Sequence, residues 1–355
     1  MTQGASAIRI GDCMMKPGTL KDVAQKLNLS ASTVSRVVNG KGYVKAETRA
    51  RVLACLDDCG YVPNEIARSL KAQASMTIGV IVPDICEIFL SRIIKGIDLT
   101  VSRAGYMLIV ADSNESKQIE RRYLDNLFQK RVDALVIASV DLKAPNVARF
   151  AAHNIPVIFI DNLPQHRDAS IKFVIVDNRQ ASRMAVRALL ECGHRQIAIL
   201  VGTVEETTGA ERLAGYAEEL RENGIAIDPA LIAYGNFKQN DGYRCMKQLL
   251  AKRHTHPFSA VYVTSEMMTA GALHAIREAA LQIGRDISLI GFDVHDELGL
   301  TTPKITTIRQ PEMEIGVQTG QLLLQLLNPA KYGAPDSTQV LTQVYLQQGD
   351  SVASI

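Results

Sequence analysis

The chain has 355 residues, too many for one ordinary domain of about 100 to 200 residues, so two or three folded units are expected. Hydrophobic residues make up 47% and charged residues 21% of the chain, which excludes an intrinsically disordered protein. The formal charge of +2 conceals a contrast, because residues 16–72 carry +5 and residues 73–355 carry −3. A short basic segment favours an anionic polymer as its partner, although a solvated basic surface would have the same charge.

Three short helices are predicted in the basic segment. The first is indicated by apolar residues that recur on one helix face after the candidate cap Thr19: Leu20, Val23, Ala24 and Leu27. The second is expected to begin after Ser30 and to bury Val34, Val37 and Val38. The third runs from about Thr48 to Cys59, with Val52, Leu53 and Leu56 as its apolar stripe. Two short helices joined by a tight turn, the second with small polar groups outside, are typical of a helix-turn-helix that enters the major groove.

Specific sequence runs give this pattern a family resemblance. The residues TLKDVAQKLNLSASTVSRVVNG, followed by TRARV and YVPNEIARSL, resemble the DNA-binding headpiece of the lactose-repressor (LacI/GalR) family. The match covers Thr19 to Leu70 without an evident gap, and the later chain resembles the same family to about Gln348. The resemblance implies a sequence-specific transcriptional regulator, expected to be a repressor. The alternative for the helices alone is a packed bundle without a ligand.

The resemblance also implies which headpiece residues contact DNA. Ala31 and Ser32 correspond to positions that contact base edges, and Thr33, Ser35 and Arg36 to positions that share base and phosphate contacts. The positions that correspond to contacts with the DNA backbone are Thr19, Asn39, Tyr43 and Tyr61. Each subunit of the implied homodimer would read one half-site, so the double-stranded operator is expected to be pseudo-palindromic.

The segment EIARSLKA after Pro63 resembles the family's hinge helix, and Asn64, Ala67 and Leu70 are its implied DNA contacts. A helix this short is marginal alone, so it is expected to order only against a second copy and DNA. In the family, the residue that matches Leu70 wedges into the minor groove at the operator centre, where apolar side chains unstack a base step.

Short apolar runs alternate with helical stretches from Thr77 onward. The runs are TIGVIV, YMLIVA, DALVIA, PVIFID, FVIVD, QIAILV, AVYVT and SLIGFD, and they predict buried parallel strands. The intervening helices are predicted near residues 90–104, 117–130, 179–192 and 212–223. The expected fold is therefore a small all-α helix-turn-helix headpiece followed by an α/β effector domain of two doubly wound lobes, like periplasmic binding proteins.

The expected division of the chain follows from these patterns and from the resemblance. Residues 1–15 form an extension, 16–62 the helix-turn-helix domain, 63–75 the hinge and linker, and 76–355 the effector-binding and dimerisation domain. One lobe is expected to comprise about 76–177 and 308–337, and the other about 178–307 and 338–355.

Polar residues follow four of the predicted strands: Asp84, Asp161, Ser265 and Asp293. In open α/β sheets ligands bind beyond the carboxyl ends of the strands, although Asp and Ser there also commonly cap helices. The stretch GTVEETTGAERLAGY resembles the family segment that supplies an effector-binding arginine, here Arg212, and GFD supplies the matching Asp293. The remaining effector-site candidates are Glu206 and Thr208 from that stretch and two apolar walls, Phe89 and Phe237.

The expected effector is a small polar ligand such as a sugar, a sugar derivative or a nucleoside. Glu205 and Glu206 stand where purine-repressor-like relatives carry Arg, which favours a neutral or amine-bearing polyol over an anion. Solvated loop glutamates are an equally compatible interpretation. Ser265 and Glu266 stand where sugar-responsive relatives often have Asn-Asp, so a sugar cannot be assigned by analogy.

Other function classes lack their sequence signals. No GxGxxG, GxxxxGK[ST], GxSxG or HExxH motif occurs, and the six cysteines include no CxxC, so no enzyme, cofactor or metal site is expected. No run approaches the roughly 18 apolar residues of a membrane span, and Met1–Met15 lack the apolar core of a secretory signal. A cytoplasmic regulator is therefore expected rather than an exported solute-binding protein. A catabolite-control-type regulator, governed by a phosphoprotein partner, is the alternative within the family.

Overall fold

The computed structural model describes residues 19–38, 40, 42–59, 61, 74–143, 146–165, 171–296, 299, 302–337 and 339–355. The chain divides into two compact units, Met1–Gln73 and Ala74–Ile355. Within the described ranges, no helix is long and apolar enough to cross a membrane.

The first unit contains the three predicted helices: α1 (Leu20–Leu27), α2 (Ala31–Val38) and α3 (Ala46–Asp58). Thr19 and Asp22 form a capping box at the start of α1, an arrangement worth about 1 kcal/mol. Asn28 ends α1 in the left-handed conformation, with φ 54°. The Ser30 hydroxyl accepts a 3.1 Å hydrogen bond from the Thr33 amide, which confirms Ser30 as the cap of α2.

Side chains from all three helices share one small core: Val23, Ala24, Val34, Val37, Val52, Cys55 and Leu56. The expectation for Leu53 is wrong, because its side chain is 51% exposed. Successive residues of a helix point about 100° apart, so Val52 and Cys55 share the inward face and Leu53 turns away from it. The core therefore fixes α1 and α2 in the arrangement expected of a helix-turn-helix.

The second unit alternates strands with helices. Its strands are β1 (Thr77–Val82), β2 (Met107–Asp112), β3 (Ala134–Ile137), β4 (Val157–Ile160), β5 (Ile171–Val176), β6 (Ile197–Val201), β7 (Ile232–Tyr234), β8 (Ala260–Val263), β9 (Ser288–Phe292), β10 (Thr306–Arg309), β11 (Gln339–Thr342) and β12 (Tyr345–Gln347). Its helices are α4 (Ile88–Val101), α5 (Lys117–Gln129), α6 (Ala148–Ala152), α7 (Asn178–Glu191), α8 (Thr207–Glu222), α9 (Gln239–Ala251), α10 (Glu266–Glu278), α11 (Glu312–Leu327) and α12 (Pro329–Tyr332). The eight apolar runs are all strands, as predicted.

The strands form two six-stranded sheets, ordered β11-β5-β4-β3-β1-β2 and β12-β10-β9-β8-β6-β7. The described pairings are parallel except that of β10 with β12. Alternate residues of β1 point to opposite faces, so Ile78 and Val80 enter one apolar cluster and Ile81 enters another. Both sheets are thus covered on both sides, which confirms the expected fold class.

The chain passes between the two lobes three times. It crosses at Asp177, between β10 and α11, and between β11 and β12. The approximate boundaries expected near 308 and 338 lie a few residues before these crossings: β10 runs to Arg309 in the second sheet, and β11 pairs parallel with β5 in the first. The second offset arises because β11 is a short edge strand with mixed exposure and no apolar run to mark it.

Helices α4 and α11 pack very closely on the first lobe. A Cβ on Gly96 would lie 2.6 Å from the Met313 carbonyl oxygen, and one on Gly316 would lie 2.2 Å from that of Ile93. Only glycine permits this approach. The contact fixes α11, which follows the second crossing, to the helix that follows β1.

Candidate DNA-binding face and effector cleft

The outer face of α2 has the polar, accessible surface that a major-groove helix needs. Ala31, Ser32 and Arg36 are exposed, and Thr33 and Ser35 are partly exposed. The Ser30 hydroxyl lies 2.8 Å from the hydroxyls of both Ser32 and Thr33, which holds these two groups in place at the start of the helix. Base-edge contacts are made by the N-terminal residues of a recognition helix, where these groups stand.

The residues expected at the DNA backbone differ in accessibility. Tyr43 is 88% exposed, whereas Tyr61 packs partly buried against the headpiece core. The Thr19 hydroxyl donates to the Asp22 carboxylate over 2.8 Å, so this group already serves the cap of α1. The predicted contacts Asn39, Asn64, Ala67 and Leu70 lie outside the described residues.

In the second unit the candidate effector residues gather at the carboxyl ends of the strands. Asp84 follows β1 and Asp161 follows β4 in the first lobe, while Ser265 follows β8 and Asp293 follows β9 in the second. Contacts between the lobes occur in this region, so the two sets of strand ends border one cleft.

Arg212 is buried in the second lobe, and two of its N–H groups donate to neutral oxygens. Its Nε donates to the Asn178 side-chain oxygen and its Nη1 to the Thr264 carbonyl oxygen, both over 2.7 Å. Its guanidinium carbon lies 3.7 Å from the centre of the Phe292 ring, a cation–π arrangement. Among the described residues no carboxylate forms a hydrogen bond with Arg212, and these three contacts orient its side chain.

Asp293 is held by a different set of bonds. Its two carboxylate oxygens accept from the Gln310 backbone amide at 2.8 Å and from the Gln310 side-chain amide at 2.6 Å. Burial raises the pKa of Asp293 to about 6, although the two Gln310 bonds oppose the shift. Its φ of 52° is an unusual conformation for a non-glycine residue, and such strain is commonly retained at functional sites. Asp293 thus ties the end of β9 to the second crossing.

The first-lobe side of the cleft carries carboxylates that lack such partners. Within the described part of the chain, Asp84 accepts one hydrogen bond, from the amide of Cys86 at 2.8 Å. Asp161, with φ 64°, and Glu87, just before α4, are partly exposed and have no hydrogen bond from a described residue. Burial, followed by the charges of Asp161 and Asp84, raises the pKa of Glu87 to about 8. Burial raises the pKa of Asp161 as well, and nearby Arg212 opposes this shift.

Glu206 and Thr208 meet the first lobe at the start of α8. The Glu206 carboxylate accepts a 3.0 Å hydrogen bond from the Asn162 side chain, and the Thr208 amide donates to Asn162 over 3.3 Å. Burial raises the pKa of Glu206 to about 7, with the Asn162 bond acting in the opposite direction. Glu206 is therefore a cleft residue, while Glu205 is exposed, so the two glutamates have different surroundings.

A second contact between the lobes joins Lys238 and Glu115. The Lys238 ammonium lies 2.7 Å from the Glu115 carboxylate, and the lysine side chain is 58% exposed. Lys238 precedes α9 in the second lobe and Glu115 follows β2 in the first. This ion pair spans the strand-end region at the surface, whereas the Asn162 contacts span it in the interior.

The remaining candidates have mixed roles. Phe237 is partly exposed with φ 61°, and its ring lies over Gly202, where a Cβ would come within 2.1 Å. Phe89 is partly exposed and packs against the first-lobe core. The Ser265 hydroxyl accepts from the Met268 amide over 3.2 Å, so it caps α10, the competing role foreseen for strand-end residues.

Sequence reasoning missed several residues that shape this cleft: Glu87, Asn162, Asn178, Phe292 and Gln310. Asn162 directly follows Asp161, and Asn178 directly follows Asp177. The expectation that ligand-binding residues stand just after a strand, called here the strand-end rule, would have found both if it had been extended by one position. Glu87, three residues beyond Asp84, has no comparable signal. Within the described ranges, no group of three His, Cys, Asp or Glu residues is arranged to hold a metal ion.

Two family models match the chain. Residues 19–64 match "Bacterial regulatory proteins, lacI family", and residues 75–348 match "Periplasmic binding proteins and sugar binding domain of LacI family". The HTH-type transcriptional repressor PurR of Escherichia coli O1:K1 / APEC is 34% identical over 325 residues, which cover 91% of this chain and 94% of that protein.

Two solved structures share the fold over almost the whole chain. The lac repressor dimer bound to operator and the anti-inducer ONPF has a TM-score of 0.82 and 29% identity, covering 95% of this chain and 100% of that one. The transcriptional regulator CelR–cellobiose complex has a TM-score of 0.71 and 26% identity, covering 94% and 99%. With both of its units matched in this way, the chain belongs to the lacI family of bacterial regulatory proteins.

Proposed function

We propose that this protein is a transcriptional repressor that binds a pseudo-palindromic operator as a homodimer and is controlled by a small polar ligand. It acts by binding alone, without catalysis or a cofactor, in the cytoplasm. The observation that carries the proposal is the outer face of α2, where Ala31, Ser32 and Arg36 stand exposed on a helix whose other face is buried. The solved lac repressor dimer bound to operator, whose fold this chain shares, supports the same mode of binding.

The ligand is proposed to bind in the cleft, next to the residues predicted there: Asp84, Phe89, Asp161, Glu206, Thr208, Arg212, Phe237, Ser265 and Asp293. Three connections cross between the lobes at this level, so a ligand that contacts both lobes would favour one relative position of them. A ligand changes operator affinity only by its difference in affinity for the two states. For the ligand to control operator affinity, binding of the headpiece to DNA must therefore also favour one of the relative positions of the two lobes.

Operator binding by the full chain tests the proposal. Operators are first selected from random duplex DNA, and affinities are then measured for the full site and for one half-site. A bidentate Arg–guanine contact contributes about 1–3 kcal/mol, so Arg36→Ala should weaken binding to the full site roughly 5- to 150-fold. Binding to unrelated DNA should fall much less, because it depends on charge alone.

The matched control is Arg51→Ala, which removes the same charge from an exposed position on α3. This control should weaken binding to selected and to unrelated DNA slightly and to the same extent. Equal losses for Arg36→Ala on selected and unrelated DNA would contradict base reading by α2. Equal affinity for half-site and full site would contradict binding as a dimer.

A further inference from the structure

The cleft contains more carboxyl groups than the nearby cations pair with. Asp84, Glu87, Asp161 and Glu206 form no salt bridge with any described residue. The closest cations have other partners. Lys238 pairs with Glu115, and Arg212 donates to the neutral oxygens of Asn178 and Thr264.

The charged groups around the second crossing are matched among themselves. The His295 ring lies 3.0 Å from both the Glu266 and the Glu312 carboxylates, and Arg309 lies 3.1 Å from Glu312. Glu266 therefore has a partner, in contrast to Glu87. The carboxyl groups without a cationic partner among the described residues therefore lie at the first-lobe strand ends and at Glu206 opposite them.

We propose that the effector carries a positively charged ammonium group, which Glu87, Asp161 and Glu206 receive. This inference rests on the proposed function, since it names the class of ligand for the same cleft. A compact cation placed between these side chains would supply the counterion that the protein itself does not provide. An anionic ligand would add a further like charge and is disfavoured for the same reason.

The raised pKa values of Glu87 and Glu206, to about 8 and about 7, agree with missing counterions. Burial is the largest cause of both shifts, and neighbouring carboxylates add to it. The charged groups that act on Glu87 are Asp84, Glu115, Asp161 and Glu266. The cation Arg212 acts on Asp161, and Lys238 interacts with Glu115 and Asp84. An arriving ammonium group would lower both pKa values and displace protons from these carboxyls.

A neutral polyol is the competing ligand, because protonated carboxyl groups can donate hydrogen bonds to hydroxyl oxygens. The two classes respond to pH in opposite directions. A cation needs the ionised carboxylate, so its affinity rises with pH, whereas a neutral acceptor needs the protonated form and loses affinity. With a carboxyl pKa of about 8, the ionised fraction grows roughly fivefold from pH 7 to pH 8.

Titration calorimetry on the full chain distinguishes these classes with matched pairs of probes: glucamine and sorbitol, putrescine and butanediol, and choline and dimethylbutanol. We expect the ammonium member of at least one pair to bind at least roughly tenfold more tightly than its neutral partner. Its affinity should rise between pH 7 and pH 8, with proton release visible as a dependence of the heat on the buffer. The choline pair is useful because its charge does not titrate.

Two variants locate the interaction. Glu87→Gln and Glu206→Gln should each weaken binding of the ammonium probe by roughly tenfold and reduce the proton release. Glu191→Gln is the matched control, because it removes the same charge from an exposed residue at the far end of α7. This control should leave the affinity unchanged.

Three outcomes would overturn the inference: equal or tighter binding of the neutral members, binding of no ammonium probe, or unchanged affinity in both glutamate variants. None of them would affect the operator measurements, which need no ligand. If operator binding fails instead, the proposed function fails, whatever the calorimetry shows. The two proposals can therefore be rejected separately.

Discussion

The two sides of the effector cleft are built differently. On the second-lobe side, Arg212 and Asp293 are buried, and their hydrogen bonds go to other parts of the same framework. On the first-lobe side, Glu87 and Asp161 are partly exposed and accept no hydrogen bond from a described residue. Arg212 and Asp293 thus have hydrogen-bond partners within the protein, whereas Glu87 and Asp161 have none among the described residues.

Polar groups with partners inside the protein stabilise the fold, whereas acidic groups without partners do not. A buried polar group without its partner costs about 1–3 kcal/mol, so breaking the satisfied side should destabilise the protein. An acidic group without a counterion costs free energy as it stands, so removing its charge should stabilise the protein. Substitutions on the two sides are therefore expected to change stability with opposite sign.

The largest effect is expected for Arg212→Met on the satisfied side. The substitution leaves the oxygens of Asn178 and Thr264 without donors and removes the stacking on Phe292. The free energy of unfolding, measured by urea denaturation at pH 7, should fall by about 3 kcal/mol.

Arg179→Met is the matched control, since the Arg179 side chain is 51% exposed and pairs with Glu218 on the neighbouring helix. Exposed ion pairs contribute about 0–1 kcal/mol, so this variant should change stability by less than that. A similar small loss for Arg212→Met would show that the second-lobe side is not held by these bonds.

The strand-end rule predicted where both sides of the cleft lie but not which has hydrogen-bond partners within the protein. Asp84, Asp161, Ser265 and Asp293 all follow apolar runs, and all lie at strand ends as expected. Their partners come from distant residues: Gln310 bonds to Asp293 from 17 positions away, and Thr264 lies 52 positions from Arg212. Sequence periodicity reports burial and local structure, and such pairings depend on how the sheets assemble.

Glu87→Gln on the first-lobe side should stabilise the protein at neutral and alkaline pH. The folded-state pKa of Glu87, about 8, lies above its ordinary value, so the folded protein holds this proton more tightly than the unfolded chain. Its contribution to stability therefore becomes less favourable as pH rises from about 4.5 to about 8. The full shift would correspond to roughly 4 kcal/mol at pH 8, but Glu87 is partly exposed and solvent screening reduces this figure, so the variant should exceed the parent by about 2 kcal/mol at pH 8.

Denaturation curves for parent and variant from pH 5 to pH 8 test this expectation. The difference in unfolding free energy should be smallest at pH 5 and should grow with pH. Glu191→Gln, which is exposed, should show no such trend. A Glu87→Gln variant less stable than the parent at pH 8 would mean that the carboxylate has a stabilising partner.

The fold was more predictable than the cleft because its signals are local. Continuous apolar runs identify strands that are buried on both faces, and capping residues such as Thr19 and Ser30 mark where helices begin. The exceptions were β7, β10, β11 and β12, strands of three or four residues without a long apolar run. The lobe boundaries near 308 and 338 were placed a few residues early because β10 and β11 are among these strands.

The smallest effect is expected at the contacts between the two sides. Lys238 meets Glu115 at the surface, whereas Asn162 bonds to Glu206 and Thr208 with its own side chain buried. Lys238→Gln should lower the unfolding free energy by less than about 1 kcal/mol in dilute buffer. The effect should vanish in about 0.5 M salt, because salt screens exposed charges.

Asn162→Ala provides the comparison, since it leaves the Thr208 amide without its acceptor and should cost about 1–2 kcal/mol at any salt concentration. Urea denaturation of both variants at low and high salt measures the two contacts side by side. If Lys238→Gln proved the more costly variant, or if its effect persisted in salt, the surface ion pair would be the main connection between the strand ends. The interior Asn162 bonds would then contribute less to stability than the surface ion pair. Glu115 would be a first-lobe group with a stabilising partner, and the contrast between the two sides of the cleft would no longer hold there.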